Sequence, residues 1–494
     1  MAPMQRAHNI AAARRTSPER YTAAMSASLP SRRSLLLATG LLSLAIPLLL
    51  AGSVLSWQRG VMHLCLMLPL AVGLFLPSDV LERQGTTLRL LAIGAAVLAV
   101  AAVGLLPLPH GLLAPLAPGR AAALPSASWA TLSMNPEATL SSLFTGFAAL
   151  GIAASASIGT SQRGGRQATG LAAAGLLAGL LAIGIGHVAT DAVAIFGLLH
   201  PDYTPTPFWA PLVNHNHFAA LIVLLLPITA WEAWQQRDSM LGLPLAAVVA
   251  TALGCLVALA SGAATLGLLV GSLATAIALG PHSRRVALPL GAVSLLALVA
   301  GTLWTVLGDS ALHRASVFQR AEQWADQPAL IAAHWATGSG IGAYSEAYGP
   351  FNTQLDGLLY RHAHSEFLTW LVATGLLGLV ALVLAAMLLP RAARSRRGRA
   401  WQIGLIALAA QCLVSAPLHV PAVLLIASAV LGLRVGGYAK RRESRPRTVR
   451  LVLITLLAAN LLGALWSARE HVADAASRQA LAVQREPAAA REAA

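Results

Sequence analysis

The chain has 494 residues, of which 56% are hydrophobic and only 11% are charged, with a formal net charge of +15. The apolar residues come in blocks of about 20, the length that crosses a bilayer, so the composition excludes an ordinary soluble protein. It also argues against nucleic acid as a partner, because the basic residues lie in short connectors between apolar blocks, where they orient a membrane protein.

The chain begins with a basic segment, residues 1–34, which contains one acidic residue and directly precedes a long apolar block. We interpret it as a cytoplasmic tail. The sequence predicts an all-α polytopic integral membrane protein with about 12–13 transmembrane helices. The predicted spans are 35–55, 60–76, 88–106, 138–158, 168–189, 216–234, 242–260, 262–280, 286–307, 366–389, 402–418, 421–437 and 449–467.

Alternation of these spans places every strongly basic connector on one side, including the arginines of 391–399 and the basic residues of 440–450. The positive-inside rule assigns that side to the cytoplasm. We therefore expect a multi-pass protein of a bacterial inner membrane, with its long loops periplasmic. The last segment, 468–494, is predicted to be a polar C-terminal tail.

Two loops on the predicted outside precede the main one. Residues 107–137 contain several prolines, and such a loop either covers a site or is disordered; the sequence does not choose between them. Residues 200–218 end in Asn214-His-Asn-His-Phe218, four polar side chains at the mouth of a span. Polar side chains at the membrane cost free energy unless they face a cavity or contact one another. The N-terminus of a helix also favours the binding of anions.

The longest polar interruption after the first span, 308–378, has the highest density of chemically useful groups. It contains Arg314, Arg320, the run Thr337-Gly-Ser-Gly-Ile-Gly342 and the sequence Arg361-His-Ala-His-Ser-Glu366. Cations, imidazoles and hydroxyls on one water-facing edge suit the binding of a lipid phosphate and the activation of a hydroxyl. We predict that 308–365 is a periplasmic active-site loop within a membrane domain spanning 35–467.

His364 is the candidate general base, because an imidazole near its ordinary pKa of about 6.5 can take a proton from a sugar hydroxyl. The alternative is a histidine that only caps the following helix. His362 lies two residues earlier, so on a helix the two rings would point apart, and the spacing does not favour a metal site. We expect no metal and no cofactor.

Arg320 has two interpretations of equal weight. In the first, its planar guanidinium binds the oxygens of a diphosphate through two parallel N–H donors. In the second, it stacks on Trp324 at the surface. Glu322 and Glu366 could orient the basic groups, or be solvated ion-pair partners. The glycine run lacks the βαβ context of a dinucleotide site, so we expect its glycines to permit a tight turn or a close backbone approach.

These motifs together resemble the O-antigen ligase and O-antigen polymerase superfamily of bacterial membrane glycosyltransferases. The resemblance covers about 107–433. It is carried by the motifs just described and by three further landmarks: His364-Ser365 followed, after nine intervening residues, by Gly375-Leu-Leu-Gly378; Trp129 with Leu132-Ser133 and Pro136; and Pro417-Leu-His-Val-Pro421.

The resemblance implies a membrane glycosyltransferase that moves a glycan from an undecaprenyl-diphosphate carrier to a hydroxyl of a lipid or glycan acceptor, without a metal. It implies that Arg320 binds the diphosphate and His364 is the base. Supporting candidates for substrate binding are Arg314, Arg361, His362, Asn214 and His217. Membrane lipids are the remaining expected partner.

Three departures from the family pattern are visible. Ser261-Gly-Ala-Ala264 stands where many members carry Ser-Arg, Ala373 replaces a frequent glutamate, and Ser415-Ala416 replaces an aspartate. The sequence leaves open whether the protein is a ligase or a polymerase. Two other classes also stay open: a transporter of lipid-linked oligosaccharides, and a non-catalytic partner in polysaccharide assembly.

Overall fold

The computed structural model describes residues 32–160, 165–200, 209–259, 261–278, 311–354, 359–389, 396–436 and 443–492, with a few positions between 288 and 299. The predicted all-α class is confirmed: apart from one short two-stranded ribbon, the regular elements described are helices. Among the described residues, six helices are long and apolar enough to cross a membrane. The predicted segment 1–34 lies almost entirely outside the described residues.

A helix lies at each predicted span except 286–307, which is mostly outside the described residues. The helices before the second half of the chain are α1 (Arg32–Leu49), α2 (Ser56–Leu74), α3 (Ser78–Leu81), α4 (Gly85–Ala102), α5 (His110–Leu116), α6 (Pro118–Ala123), α7 (Pro136–Gly159), α8 (Gly165–Ala189), α9 (His215–Gln235), α10 (Gly242–Ala258) and α11 (Gly262–Ala278).

The later helices include two in the predicted active-site loop. They are α12 (Ala311–Ala333), α13 (Tyr344–Tyr348), α14 (Glu366–Leu388), α15 (Arg396–Gln411), α16 (Pro421–Gly436) and α17 (Pro446–Glu492). The 3-10 turns are Val103–Leu105, Gly349–Phe351 and Pro417–His419. The predicted tail 468–494 therefore continues the last membrane helix, up to Glu492, as part of α17.

The centre of the bundle is α9, which is apolar on every side. Residues 219–226 of this helix are at most 1% exposed, as expected for a helix surrounded by others. It packs against α8, α10, α15 and α16. In a bilayer such association depends on close packing rather than on exclusion of water. This rigid centre fixes the position of Asn214 and His217 at the N-terminal end of α9.

The two ends of the bundle differ in character. At one end, termed the loop side, strand β1 (Pro107–Pro109) pairs antiparallel with β2 (Trp129–Thr131), with Pro107 opposite Thr131. The same end carries 311–365. At the other end, termed the basic side, the connectors are short and rich in arginine. The separation of the long loops from the arginine-rich connectors agrees with the predicted alternation of the spans.

The proline-containing loop 107–137 is ordered and packs on the predicted active-site loop. The backbone N–H of Met134 donates to the Ser339 carbonyl oxygen at 2.8 Å, and Asn135 Nδ2 donates to Glu346 Oε1 at 2.6 Å. Trp335 Nε1 also donates to the Pro115 carbonyl oxygen, at 3.3 Å. Of the two interpretations of this segment, the structure excludes the disordered one.

Candidate functional site

The turn before α14 carries the two predicted histidines. His364 has a positive φ of 51°, a left-handed conformation that is uncommon for residues other than glycine and that clusters at functional sites. The turn brings the His362 and His364 rings together, with centroids 4.9 Å apart and planes at 90°. The two rings would point apart on a helix, but residues 362 and 364 lie in a turn that is not helical, so that expectation does not apply.

Two helices hold this turn in place. From α12, Trp324 Nε1 donates to the Ala363 carbonyl oxygen at 2.7 Å and Gln323 Nε2 donates to the His362 carbonyl oxygen at 3.0 Å. From α14, Thr369 Oγ1 accepts from the Ala363 N–H at 2.9 Å. The turn is therefore anchored mainly through its backbone. The His362 Nδ1 also accepts from the His364 N–H at 3.3 Å, so His364 is the imidazole that these contacts leave available.

The cap of α14 is Ser365, not His364. The Ser365 hydroxyl accepts a hydrogen bond from the Leu368 N–H at 3.3 Å, the usual role of a serine at a helix N-cap. The alternative in which His364 merely caps the helix is thus excluded.

Two more histidines complete a cluster with the first pair. The His419 ring, at the end of the turn Pro417–His419, lies 5.2 Å from the His362 ring. His217, in the first turn of α9, lies close enough to interact electrostatically with His364 and His419. We term His217, His362, His364 and His419 the histidine cluster. The sequence motif containing His419 was recognised, but no role was predicted for that residue.

Glu366 connects the cluster to the end of α15. Its Oε2 lies 3.0 Å from His419 Nδ1, and its Oε1 accepts from the Leu418 N–H. Burial alone would lower the pKa of His419, but the charge of Glu366 and its hydrogen bond outweigh burial and raise that pKa. The imidazolium form of His419 is therefore favoured beside a carboxylate.

Arg320 lies on α12 next to the cluster. Its side chain is half-buried, and burial lowers the pKa of its guanidinium. Within the part of the chain that the structure describes, this guanidinium makes no hydrogen bond and no ion pair. Trp324 is occupied by Ala363, and the cation–π contacts described lie elsewhere, at Trp234 and Trp466.

The charge of Arg320 acts on its neighbours. Burial and, second, this cation lower the pKa of His364 to about 4. Burial, the other histidines and Arg320 hold the pKa of His362 well below its usual range. At neutral pH the two imidazoles are therefore neutral, while Arg320 carries a positive charge for which the described residues provide no counter-ion.

The remaining predicted residues are distributed around this centre. Asn214 caps α9, with its Oδ1 accepting from the Asn216 N–H at 2.8 Å. Arg361 is exposed at the start of the histidine turn, and Glu322 is exposed on α12. Arg314 lies on α12, but its side chain is outside the described residues. Among the residues described, no group of three or more His, Cys, Asp or Glu could hold a metal ion.

The glycine run interlocks with a break in α14. Gly375 interrupts the helix with φ 60°, and the backbone groups freed there bond to the loop: Ser339 N–H to Val372 O at 2.9 Å and Leu376 N–H to Trp335 O at 2.8 Å. A Cβ on Gly338 would lie 2.2 Å from the Ala373 backbone. The predicted close backbone approach of the glycines is confirmed.

Part of the chain matches a known protein family. Residues 246–383 match the family model described as O-Antigen ligase. The family resemblance predicted from the motifs is confirmed. The matched O-antigen ligase region contains Arg320, His362 and His364, whereas His217 and His419 lie outside it. The comparison with curated proteins found no match.

His419 is the main residue that sequence reasoning missed. It lies more than 50 positions from His364, and its motif was noticed only as a family landmark. One available signal was the pairing capacity of Glu366, which begins a membrane helix and needed a partner. The histidine cluster therefore combines residues of the matched segment with His217 and His419, which lie outside it.

Proposed function

We propose that this protein transfers a glycan from an undecaprenyl-diphosphate carrier to a hydroxyl acceptor at the periplasmic face of a bacterial inner membrane. An O-antigen ligase or polymerase type of function is supported by the family match. The observation that carries the specific proposal is the half-buried Arg320, a cation that has no anionic partner among the described residues and lies beside neutral histidines. The basic side, opposite the site, fits a cytoplasmic face.

Arg320 is the proposed ligand of the carrier diphosphate. A guanidinium offers two parallel N–H donors that match phosphate oxygens, and it is more weakly hydrated than an ammonium group. A diphosphate would also supply the counter-ion that the described protein groups do not provide. Arg361 and Arg314 are proposed as further substrate-binding groups because they lie at the start of the histidine turn and on α12.

His364 is the proposed general base. With a pKa of about 4 in the free protein it is neutral but only weakly basic. A bound diphosphate would offset the charge of Arg320 and place negative charge near the ring, and both effects raise the pKa of the imidazole toward the working pH. Substrate binding thus makes the base stronger at the moment it is needed.

The proposed step forms one bond and breaks one. The acceptor oxygen attacks the anomeric carbon while His364 takes the hydroxyl proton. The bond between the anomeric carbon and the diphosphate oxygen breaks, and undecaprenyl diphosphate leaves with inversion at carbon. Arg320 stabilises the negative charge that develops on the leaving group. These steps use protein groups alone.

His419 is proposed as a second positive group at the diphosphate. Glu366 favours its protonated form, and the ring lies beside His362. This imidazolium would compensate for the arginine that is absent from Ser261-Gly-Ala-Ala264, where the Ser261 hydroxyl instead donates to Asn216 Oδ1 at 2.7 Å. His362 and His217 would then shape the pocket between the two cations.

The test is a profile of lipid-linked and surface glycans in a deletion strain complemented with wild type, His364→Ala or His200→Ala. His200 is an exposed histidine that is not one of the four residues of the cluster, and it is the matched control. We expect lipid-diphosphate glycan to accumulate with His364→Ala and not with His200→Ala. Long accumulated chains would identify a ligase, and single repeat units a polymerase.

The competing classes give a different profile. A non-catalytic assembly partner or a transporter needs no base, so His364→Ala would restore a normal profile and refute the proposal. A transporter also commonly has broken midplane helices that line a cavity. The break in α14 is instead filled by hydrogen-bonded backbone from 335–340, which favours a fixed site over a moving one.

A further inference from the structure

Arg120 is a second loop-side cation that has no counter-ion in the described part of the chain. It lies in α6, and its Nε donates to the Thr131 carbonyl oxygen at 3.1 Å. A weaker contact joins its Nη1 to Met134 Sδ, at 3.9 Å. Among the described residues, the N–H groups of Nη2 make no hydrogen bond and the guanidinium makes no ion pair. The bond to Thr131 therefore fixes the guanidinium and leaves donors unused.

His334, directly after α12, lies beside this arginine but does not balance its charge. A Cβ on Gly119, the residue before Arg120, would lie 3.0 Å from His334 Nε2. The His334 side chain is 1% exposed, and burial together with the charge of Arg120 lowers its pKa to about 4. The ring is therefore neutral at physiological pH, and Arg120 carries the net charge of this pair.

The ribbon places Arg120 relative to the membrane. The apolar span Gly85–Leu105 has 21 residues, which is about 30 Å of helix and so the thickness of a hydrocarbon core. Thr131, which holds Arg120, pairs with Pro107, two residues after the end of that span. The guanidinium therefore lies at the level of the lipid headgroups on the loop side.

Large apolar side chains at the same level are exposed. Leu106, Leu112, Trp129 and Trp335 are each at least 50% exposed. Leu106 directly precedes β1, Trp129 begins β2, and Trp335 Nε1 donates to the carbonyl oxygen of Pro115 in α5, the helix that carries Leu112. Exposed apolar patches mark contact surfaces, and tryptophans are enriched where a bilayer meets water. We term these four residues the interfacial edge.

We propose that Arg120 binds the phosphate of an anionic phospholipid in the loop-side leaflet, while the interfacial edge contacts the same lipid surface. A guanidinium without a counter-ion at headgroup level attracts anionic headgroups, and its donors match phosphate oxygens. The carrier diphosphate is a poorer occupant, because about 20 Å of helix separates its proposed ligand Arg320 from Ala333, the residue before His334. This inference does not depend on the proposed transfer reaction.

The test uses the full-length protein in phosphatidylcholine vesicles that contain a small fraction of photoreactive phosphatidylglycerol or photoreactive phosphatidylcholine. Irradiation attaches the probe to nearby residues, and peptide mass spectrometry measures the labelling of segment 105–132. Arg120→Gln removes the charge, whereas Arg120→Lys keeps the charge and loses the planar group that bonds Thr131. Arg469→Gln is the matched control, because Arg469 is a loop-side arginine that has a carboxylate partner, Glu137.

We expect the phosphatidylglycerol probe to label the segment about fivefold more than the phosphatidylcholine probe, the contribution of one basic residue near the surface. Arg120→Gln should remove this preference, and Arg120→Lys and Arg469→Gln should keep it. Trp129→Glu carries the test if Arg120→Gln does not fold. Trp129 is 64% exposed, and a carboxylate there should lower phosphatidylglycerol labelling several fold.

Equal labelling by the two probes, or an unchanged preference in Arg120→Gln, would overturn the proposal. Loss of the preference in Arg120→Lys as well would mean that Arg120 only holds the ribbon. Displacement of the probe by soluble glycerol phosphate would assign the site to a free phosphate, and displacement by undecaprenyl phosphate would assign it to the carrier. Arg320→Gln should leave the labelling unchanged, which separates failure of this proposal from failure of the transfer reaction.

Discussion

Arg320 and Arg397 are both partly buried arginines near opposite ends of the bundle, yet their surroundings differ. On the basic side, Arg397 Nη2 donates to Glu232 Oε2 at 2.9 Å while its Nε bonds the other oxygen, and the Glu232 side chain is fully buried. On the loop side, Arg320 has no carboxylate among the described residues and faces histidines. Removing one partner of a buried ion pair leaves an uncompensated charge and destabilises the fold, whereas a half-buried cation with no counter-ion among the described residues points to a charged ligand.

The largest expected effect is on the rate of glycan transfer and not on stability. His364→Ala should lower the rate of glycan transfer about 10²- to 10⁴-fold, the usual contribution of a general base, with little change in thermal unfolding. The rate is measured with purified protein in liposomes. A transfer rate within a few fold of wild type would show that His364 is not the base.

Next, the two arginines should respond in opposite ways to the same change. Arg397→Gln leaves Glu232 buried and unpaired, and should destabilise the protein by about 3 to 5 kcal/mol. Arg320→Gln removes a cation that has no ion-pair partner among the described residues, so it should leave stability unchanged or slightly higher while abolishing transfer. Unfolding of both variants in the same detergent is the measurement. Equal destabilisation by the two changes would contradict the contrast.

The pH dependence should reveal the two kinds of histidine. His364 must be neutral, so the acid limb of kcat/KM should lie near pH 4, the pKa in the free protein. His419 must be charged, and its pKa is raised by Glu366. Its contribution is therefore complete at low pH and is lost as the pH rises through that raised pKa.

The smallest expected effect on activity is that of replacing His419, whose charge depends on pH. His419→Gln should lower activity only several fold at neutral pH and remove the alkaline limb, because the fixed amide does not titrate. The measurement is kcat/KM across the pH range for both proteins. Retention of the alkaline limb by the variant would assign that limb to another group.

Much of the architecture was predictable because apolar length and basic connectors are local signals. The helix positions, the family resemblance and the candidates Arg320, His362 and His364 all came from short motifs, each only a few residues long. The left-handed backbone at His364 was not predictable, since that turn is held by hydrogen bonds between Ala363 and two residues of other segments, Trp324 as donor and Thr369 as acceptor. His419 was missed because the fold, and not the sequence, brings Pro417–His419 beside Glu366.

The sequence at Asn214 also carries a signal for a structural role. An asparagine directly before an apolar helix is a preferred N-cap, and the structure gives it that role. Its amide is thereby engaged with the backbone of α9. The substrate-binding role predicted for Asn214 stays a prediction, and the cap is the contact that the structure supplies.

The central claim is that Arg320 recognises a diphosphate by the shape of its donors as well as by charge. The most direct measurement is transfer from a lipid-diphosphate glycan by purified Arg320→Lys in liposomes. Arg469→Lys is the control, because Arg469 forms an exposed loop-side ion pair with Glu137. We predict that Arg320→Lys loses most of its turnover and that Arg469→Lys keeps it. Wild-type turnover by Arg320→Lys would contradict recognition of the diphosphate by the paired donors of the guanidinium.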